Sequence, residues 1–524
     1  MSSNYDAIVI GSGLGGLTAG ALYAKQGKKV IVLERHLKFG GAATTFNRKG
    51  IKAEVGLHEI DGLDDGDLKI GLVEQLGLKK AMDFIPTKNF YAVRHSSLTE
   101  EFVMPEGIEQ AIEYTISYFP FHKKAIQTYF KTLQQIRKSI CRYSTSNRTI
   151  AWWVLNGPIF PLRFWPLLRF ERITVGNYLQ KLFGDNESIK LALCANFSYY
   201  TDDLYKLSIL FYGAAQASFH VGGSYYIKGG SQVLSDYLIA IIKEAGGDAY
   251  TRRSVTKILI ENDKTIGVEH EKAEVIAKKQ PVKDKDPQQV FAPVIFGNAA
   301  PHELKKMLPE NYQEPFMKPY QDKSVSTSLW TIYLAFDQNP SNFGVNHYST
   351  FIIPDWLSSI KQVPKSASLF RQEATDKMPG FVFVDYSALE SELTEDGRYF
   401  AVMTGLDHID NWINLDEGEY QNRKNQWMEN LITFLDKTFP GISERIIYKE
   451  MATARTVQDY LNTPGGAVYG FAQEPKQGGR FRPQSQTAVN GLLLTSAYAF
   501  PGGGFTGAMS AGENAIRYLK NRTS

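Results

Sequence analysis

Cysteine is nearly absent: the 524 residues carry two, Cys141 and Cys194. Two distant thiols make neither a disulfide framework nor a cysteine-based zinc site, and they fit a reducing compartment. Long apolar runs are missing too. No stretch of about 18 uncharged apolar residues occurs, so no membrane-spanning helix is expected. The opening MSSNYDAIVIG has no basic region ahead of an apolar core. It runs straight into a strand, and a secretory signal is not expected. Net charge is only +3, too little to point to nucleic acid. The nine histidines are scattered, with no H-x-x-E-H or H-E-x-x-H spacing, so no metal site is expected. A G-x-S-x-G elbow is lacking. Any chemistry then has to come from a cofactor.

What is present is an ordinary globular composition, 43% hydrophobic and 22% charged, in a chain long enough for about two to four domains. Tyr5–Ile10 is a short apolar run of the buried parallel-strand type. Gly11, Gly13 and Gly16 follow it in G-x-G-x-x-G spacing. LTAGALYAKQG then reads as a helix, and KKVIVLER as a second strand closed by Glu34 and Arg35. In that order the parts make a dinucleotide site. Gly11 turns the chain, Gly13 lets the backbone approach a pyrophosphate, and Gly16 lets helix and strand pack closely. The N–H groups of Leu14 and Gly15 open the helix, where its dipole favours phosphate. Glu34 stands where a carboxylate accepts from ribose hydroxyls and repels a 2′-phosphate. Gly40, Gly41 and Ala42 after the second strand offer another close approach. A second complete fingerprint is absent, so one dinucleotide is expected.

The middle of the chain is unusual without reference to any family. Between Thr115 and Phe170 there are nine Lys or Arg and no Asp or Glu. Within that span Ala151–Phe170 carries Trp152, Trp153, Phe160, Phe164, Trp165 and Phe170, broken by Pro158, Pro161 and Pro166. The prolines exclude one continuous helix. Basic side chains beside Trp and Phe suit an anionic membrane surface, and residues 115–170 are expected to lie on one. A basic, aromatic core segment is the alternative. Nucleic acid is not expected as a partner. Asn196–His220 is aromatic-rich as well; such a stretch lines an apolar tunnel or forms helix core.

VIGSGLGGLTAGALYAKQGKKVIVLERHLKFGGAATTF resembles the N-terminus of the flavin-dependent amine oxidase superfamily. Within it the nearest resemblance is to the phytoene desaturase, carotenoid isomerase and retinol saturase branch. AEVGLHEIDG (Ala53–Gly62), GSYYIKGGSQVLSDYLIAIIKEAGG (Gly223–Gly247), VIFGNAAP (Val294–Pro301), NTPGGAVYG and TSAYAFPGGGFTGAMSAGENA (Thr495–Ala515) resemble that branch's later segments in order. The resemblance implies an α/β fold: a Rossmann-like FAD domain, discontinuous in sequence over 1–70, 222–315 and 450–524, with an inserted α+β substrate domain over 71–221 and 316–449. It implies FAD contacts from Val255, Asn298, Ser496, Gly503, Gly504, Phe505 and Thr506 besides those of the first turn. Many relatives carry Gly-Asp before the last turn, with the aspartate on the ribityl hydroxyls. Here the pair is Ser496-Ala497 and that carboxylate is missing.

The implied activity is desaturation, saturation or isomerisation of an apolar polyene, carotenoid or retinoid-like. A flavin amine oxidase and a non-catalytic prenyl-binding escort protein of the same fold are the alternatives. His58 and Lys228 are the candidate polar helpers at the flavin, with Glu59 and Asp61 ranked behind them. NAD(P)H, a quinone and oxygen all remain open as redox partner. The expected location is the cytoplasmic side, peripheral on a membrane; the oligomeric state is left open.

Overall fold

The computed structural model describes residues 5–65, 67–145, 154, 157–274, 284–394 and 397–523. Its first layer is a five-stranded parallel sheet in the order Leu492–Leu494, Val294–Gly297, Ala7–Ile10, Val30–Leu33, Asp248–Tyr250. The two N-terminal strands, AIVI and VIVL, are buried on both faces, which is why they read as unbroken apolar runs. Helices Leu14–Ala24, Ser231–Glu244 and Phe505–Thr523 pack together on this sheet. The first and last helices touch so closely that a Cβ on Gly512 would fall 2.2 Å from the Gly15 carbonyl oxygen.

Residues 249–270 alternate strand-like around ENDKT, and Arg253–Glu261 and Lys264–Lys272 form the hairpin that this pattern predicts. Asn262 and Asp263 turn it in the left-handed region, as a two-residue hairpin loop requires. Gln288–Phe291 adds a third strand.

The second large sheet has seven strands: Ile446–Ala452, Ser328–Phe336, Tyr399–Asp407, Phe381–Asp385, Ser349–Ile352, Asn89–Arg94 and Phe102–Pro105. All neighbours are antiparallel except Ser349–Ile352 with Asn89–Arg94. Helix Glu417–Thr438 sets Trp427, Leu431 and Leu435 into a core with Trp330, Phe370 and Trp412. Helices Lys123–Thr145 and Ile209–Gly222 pack side by side in the inserted region. Strand Ile446–Ala452 pairs with Ser328–Phe336 through Ala452. This seven-stranded sheet therefore carries the chain past position 450, where the sequence divides the expected domains.

Candidate active site

Two glycine-rich turns meet at the carboxyl ends of the parallel strands, where ligands of such sheets bind. The first is held from behind by Glu34. Its carboxylate accepts from the Ser12 amide at 2.8 Å, the Ser12 hydroxyl at 2.6 Å and the His36 amide at 2.7 Å. Ser12 Oγ in turn accepts from the Gly40 amide at 3.0 Å. The Gly11–Gly16 turn and the Gly40–Ala42 segment are thus one tied unit. Asn298 Oδ1 accepts from the Gly16 amide at 2.8 Å, so it caps the first helix. Gly15 has no alternative: a Cβ there would fall 1.9 Å from the Thr495 carbonyl oxygen. Arg35 does not point at the turn but donates to the carbonyls of Asp459 and Tyr460.

The second turn, Pro501–Gly504, is held by a base. Arg482 is 1% exposed and donates to the carbonyls of Ala497 (2.7 Å), Phe471 (2.9 Å), Tyr469 (3.2 Å) and Ala499 (3.2 Å). Burial pulls its pKa down to about 9, so it stays charged at neutral pH. Gln473 donates to the Pro501 carbonyl at 3.0 Å. A Cβ on Gly502 would lie 2.1 Å from Gln473 Nε2 and 3.0 Å from Arg482 Cζ. Phe505 opens the final helix, and Thr506 donates to Asp61 at 2.8 Å. Asp61 is also paired with Lys69. Neither Arg482 nor Gln473 belongs to a local motif, and the sequence reading passes over both.

One cavity of about 2450 Å³ joins the turns to an apolar interior. Gly11, Gly13, Leu14, Gly15, Glu34, Arg35, Gly40, Gly41, Ala42, Val255, Asn298, Ser496, Gly503, Gly504, Phe505 and Thr506 all line it. Gly16 lies behind, packed on Asn298 and Gly11. The hydroxyls of Thr495 and Ser496 are buried without a hydrogen-bond partner. The far wall includes Tyr199, Tyr200, Phe211, Ala214, Ala215 and Phe219. Tyr212 and Ala217 of the same aromatic stretch are fully buried instead. The Asn196–His220 segment thus serves both as wall and as core.

His58 lines the cavity, with its ring edge-on to Tyr199 at 6.0 Å. Burial pushes its pKa down to about 4, so the imidazole is neutral at physiological pH. Lys228 is elsewhere. Strand Tyr225–Ile227 pairs with Phe84–Pro86, and Tyr226 and Ile227 take the buried positions. Lys228 is left facing outward, where Glu392 at 3.1 Å holds its pKa up. The expectation that it faces the flavin cavity is corrected on this geometry.

The basic aromatic segment splits. Helices Phe160–Arg163 and Trp165–Phe170 each begin at a proline turn. Phe164 and Phe170 are core residues. Leu162 and Trp165 point outward at 82% and 56% exposure, and Phe121 is 99% exposed. Trp152 and Trp153 lie outside the described residues. Among the described residues no helix is long and apolar enough to cross a membrane, and no cluster of metal-ligating side chains occurs.

Known proteins share this plan over nearly the whole chain. Prolycopene isomerase of Daucus carota is 25% identical over 528 residues, covering 97% of this chain and 80% of that protein. All-trans-retinol 13,14-reductase of Macaca fascicularis is 23% identical over 532 residues, covering 94% and 82%. The crystal structure of an oxidoreductase from Methanosarcina mazei superposes with a TM-score of 0.62 at 16% identity, over 98% of this chain and 99% of that one. The profile of the family described as flavin containing amine oxidoreductase matches residues 14–519. The chain therefore belongs to the flavin containing amine oxidoreductase family and is an FAD-dependent oxidoreductase.

Proposed function

We propose that this enzyme acts on the carbon–carbon bonds of an apolar polyene, of carotenoid or retinoid type, by desaturation, saturation or isomerisation. The observation that carries the reading is the single cavity running from the dinucleotide turns to an apolar, aromatic wall. Isomerase and reductase relatives named for polyene substrates, matched almost end to end, support it. They favour it over the amine-oxidase and escort-protein alternatives.

The residues present fit FAD. Leu14 and Gly15 amides open a helix toward the pyrophosphate, and Glu34 is available to a ribose. The unpartnered Thr495 and Ser496 hydroxyls are suited to the ribityl chain. They stand in for the acid missing at this place. Bound FAD supplies hydride transfer to or from carbon. The chain's own part is to hold a polyene against it and exclude water. Tyr199, Tyr200, Phe211 and Phe219 form the apolar bed, and the neutral His58 edge borders it without placing a charge there.

The exposed Phe121, Leu162 and Trp165, in a span rich in Lys and Arg, support docking on an anionic leaflet from the cytoplasmic side. Leu167 and Leu168 of the second of these short helices line the cavity, which supports a docking face close to a substrate's way in. Flotation with anionic vesicles tests this. Leu162→Ser with Trp165→Ser is expected to abolish it, and unchanged flotation argues against docking. Anaerobic incubation of the flavin-loaded enzyme with a polyene panel tests the reaction. Product mass lowered by two hydrogens, raised by two or unchanged with altered double-bond geometry identifies the three reactions; no conversion of any polyene overturns the reading.

A further inference from the structure

Two carboxyl groups five residues apart are buried in opposite ways. Glu54 accepts from the Ser231 amide and hydroxyl, from the Gly56 and Leu57 amides, and from the Tyr226 hydroxyl. It is a structural tie. Glu59 lines the cavity, yet neither of its carboxyl oxygens has a hydrogen-bond partner or reaches water. The Ser224 hydroxyl approaches it without hydrogen-bonding geometry, and is itself unpartnered. An ionised carboxylate left so is far too costly to keep in a core, so the group is a carboxylic acid.

Its surroundings keep the proton on. The charges acting on it are the carboxylates of Asp61 and Glu106. The side chains of Tyr91, Tyr199, Tyr200, Tyr348 and Tyr386 lie within electrostatic reach of it. Three of those hydroxyls are committed to carbonyls: Tyr91 to Ala192 and Leu193, Tyr348 to His58, Tyr386 to Leu57. The hydroxyls of Tyr199 and Tyr200, both in the cavity wall, are unpartnered. Desolvation, with Asp61 and Glu106 adding to it, pushes the Glu59 pKa up to about 8. Neutral His58 next door offers it no charge. An un-ionised acid in the wall of a largely apolar cavity has the placement and proton affinity of a general acid at neutral pH.

We propose that Glu59 is a catalytic residue, the acid that protonates a polyene carbon and the base that then removes a proton from that same carbon. The assignment rests on the polyene reading above. In the step, the Glu59 O–H bond breaks and a C–H bond forms from the π pair of one double bond. The positive charge spreads along the remaining conjugated chain. The former double bond, now single, rotates. Rotation turns the hydrogen that this carbon first carried toward Glu59; the carboxylate takes that hydrogen as a proton, and the C–H electron pair restores the double bond in the other geometry. No electron is gained or lost.

Because the carbon carries two hydrogens midway, the enzyme in deuterium oxide writes solvent deuterium into a vinyl position of recovered polyene. Wild type is expected to show this label. Glu59→Gln, nearly the same shape, is expected to lose it at least tenfold while flavin content and polyene binding stay unchanged. Label at the wild-type rate in Glu59→Gln, or converted polyene without label in wild type, overturns the proposal. Should Glu59→Gln not fold, Glu59→Met, which buries no polar atom, is read in the same assay. A second readout needs no substrate. The infrared difference between wild type and Glu59→Gln is expected to show a protonated-carboxyl band at pH 7 that fades as pH rises through about 8. Its absence overturns the proposal; its presence alongside an enzyme that converts no polyene overturns only the substrate reading.

Discussion

The two turns that flank the cofactor cavity are built from the same residue, glycine, but held by opposite charges. At the first, a carboxylate gathers N–H groups: Glu34 draws in Ser12 and His36. At the second, a guanidinium gathers C=O groups: Arg482 draws in four carbonyls between Tyr469 and Ala499. The consequence is electrostatic as well as geometric. Glu34 consumes donors on its own side and leaves those of Leu14 and Gly15 at the helix end for phosphate. Arg482 consumes acceptors behind the second turn, where the buried Ser496 hydroxyl has no hydrogen-bond partner. One turn is tied by a carboxylate that accepts, the other by a guanidinium that donates.

The sharpest way to break this comparison is Arg482→Leu. Four carbonyls, two of them fully buried, lose their donor at once, and a loss of about 3–5 kcal/mol is expected. Thermal unfolding measures it, with flavin release as a second signal. Arg482→Lys should recover little, because one ammonium cannot span a fork of four acceptors.

Glu59, which has none of the partners that Glu34 has, gives the next largest effect. Its folded pKa lies above its unfolded value, so the folded state holds the extra proton and stability falls as pH rises toward about 8. Between pH 5 and pH 7 wild type should lose about 2 kcal/mol that Glu59→Gln does not. Denaturant titrations at the two pH values check it; equal slopes in both proteins would remove the distinction.

Glu34→Gln keeps the shape but faces Ser12 with an amide. A drop in FAD affinity worth about 1.5–2 kcal/mol is expected, through a slackened first turn. Equilibrium dialysis against free FAD reads it. The smallest effect is set by Ser496→Ala, about 1 kcal/mol of FAD affinity, and it separates a working ribityl contact from a bystander.

The contrast also explains what could be read from the sequence. The first turn was legible because strand, glycine spacing, helix and acid follow one another over about thirty residues, as the fingerprint requires. The hairpin at Asn262–Asp263 was legible for the same local reason. Arg482 was not, since its four acceptors converge only after folding. Lys228 was misread because its neighbours in sequence are cavity motifs, while strand pairing at Tyr225–Ile227 turns it outward. Glu59 stands behind His58 in the sequence, which displays a carboxyl group but not the missing partners around it. Phe164 and Leu162 stand two residues apart on one short helical stretch, and only packing tells which one is core.

The parallel sheet joins Ala7–Ile10, through Val294–Gly297, to Leu492–Leu494, and the Thr495 carbonyl closes on Gly15. During synthesis the first turn therefore leaves the ribosome long before its partners exist. With the FAD contacts proposed above, stable flavin capture waits for residues near 500 to emerge, so acquiring the cofactor doubles as a check that this part of the chain has been made.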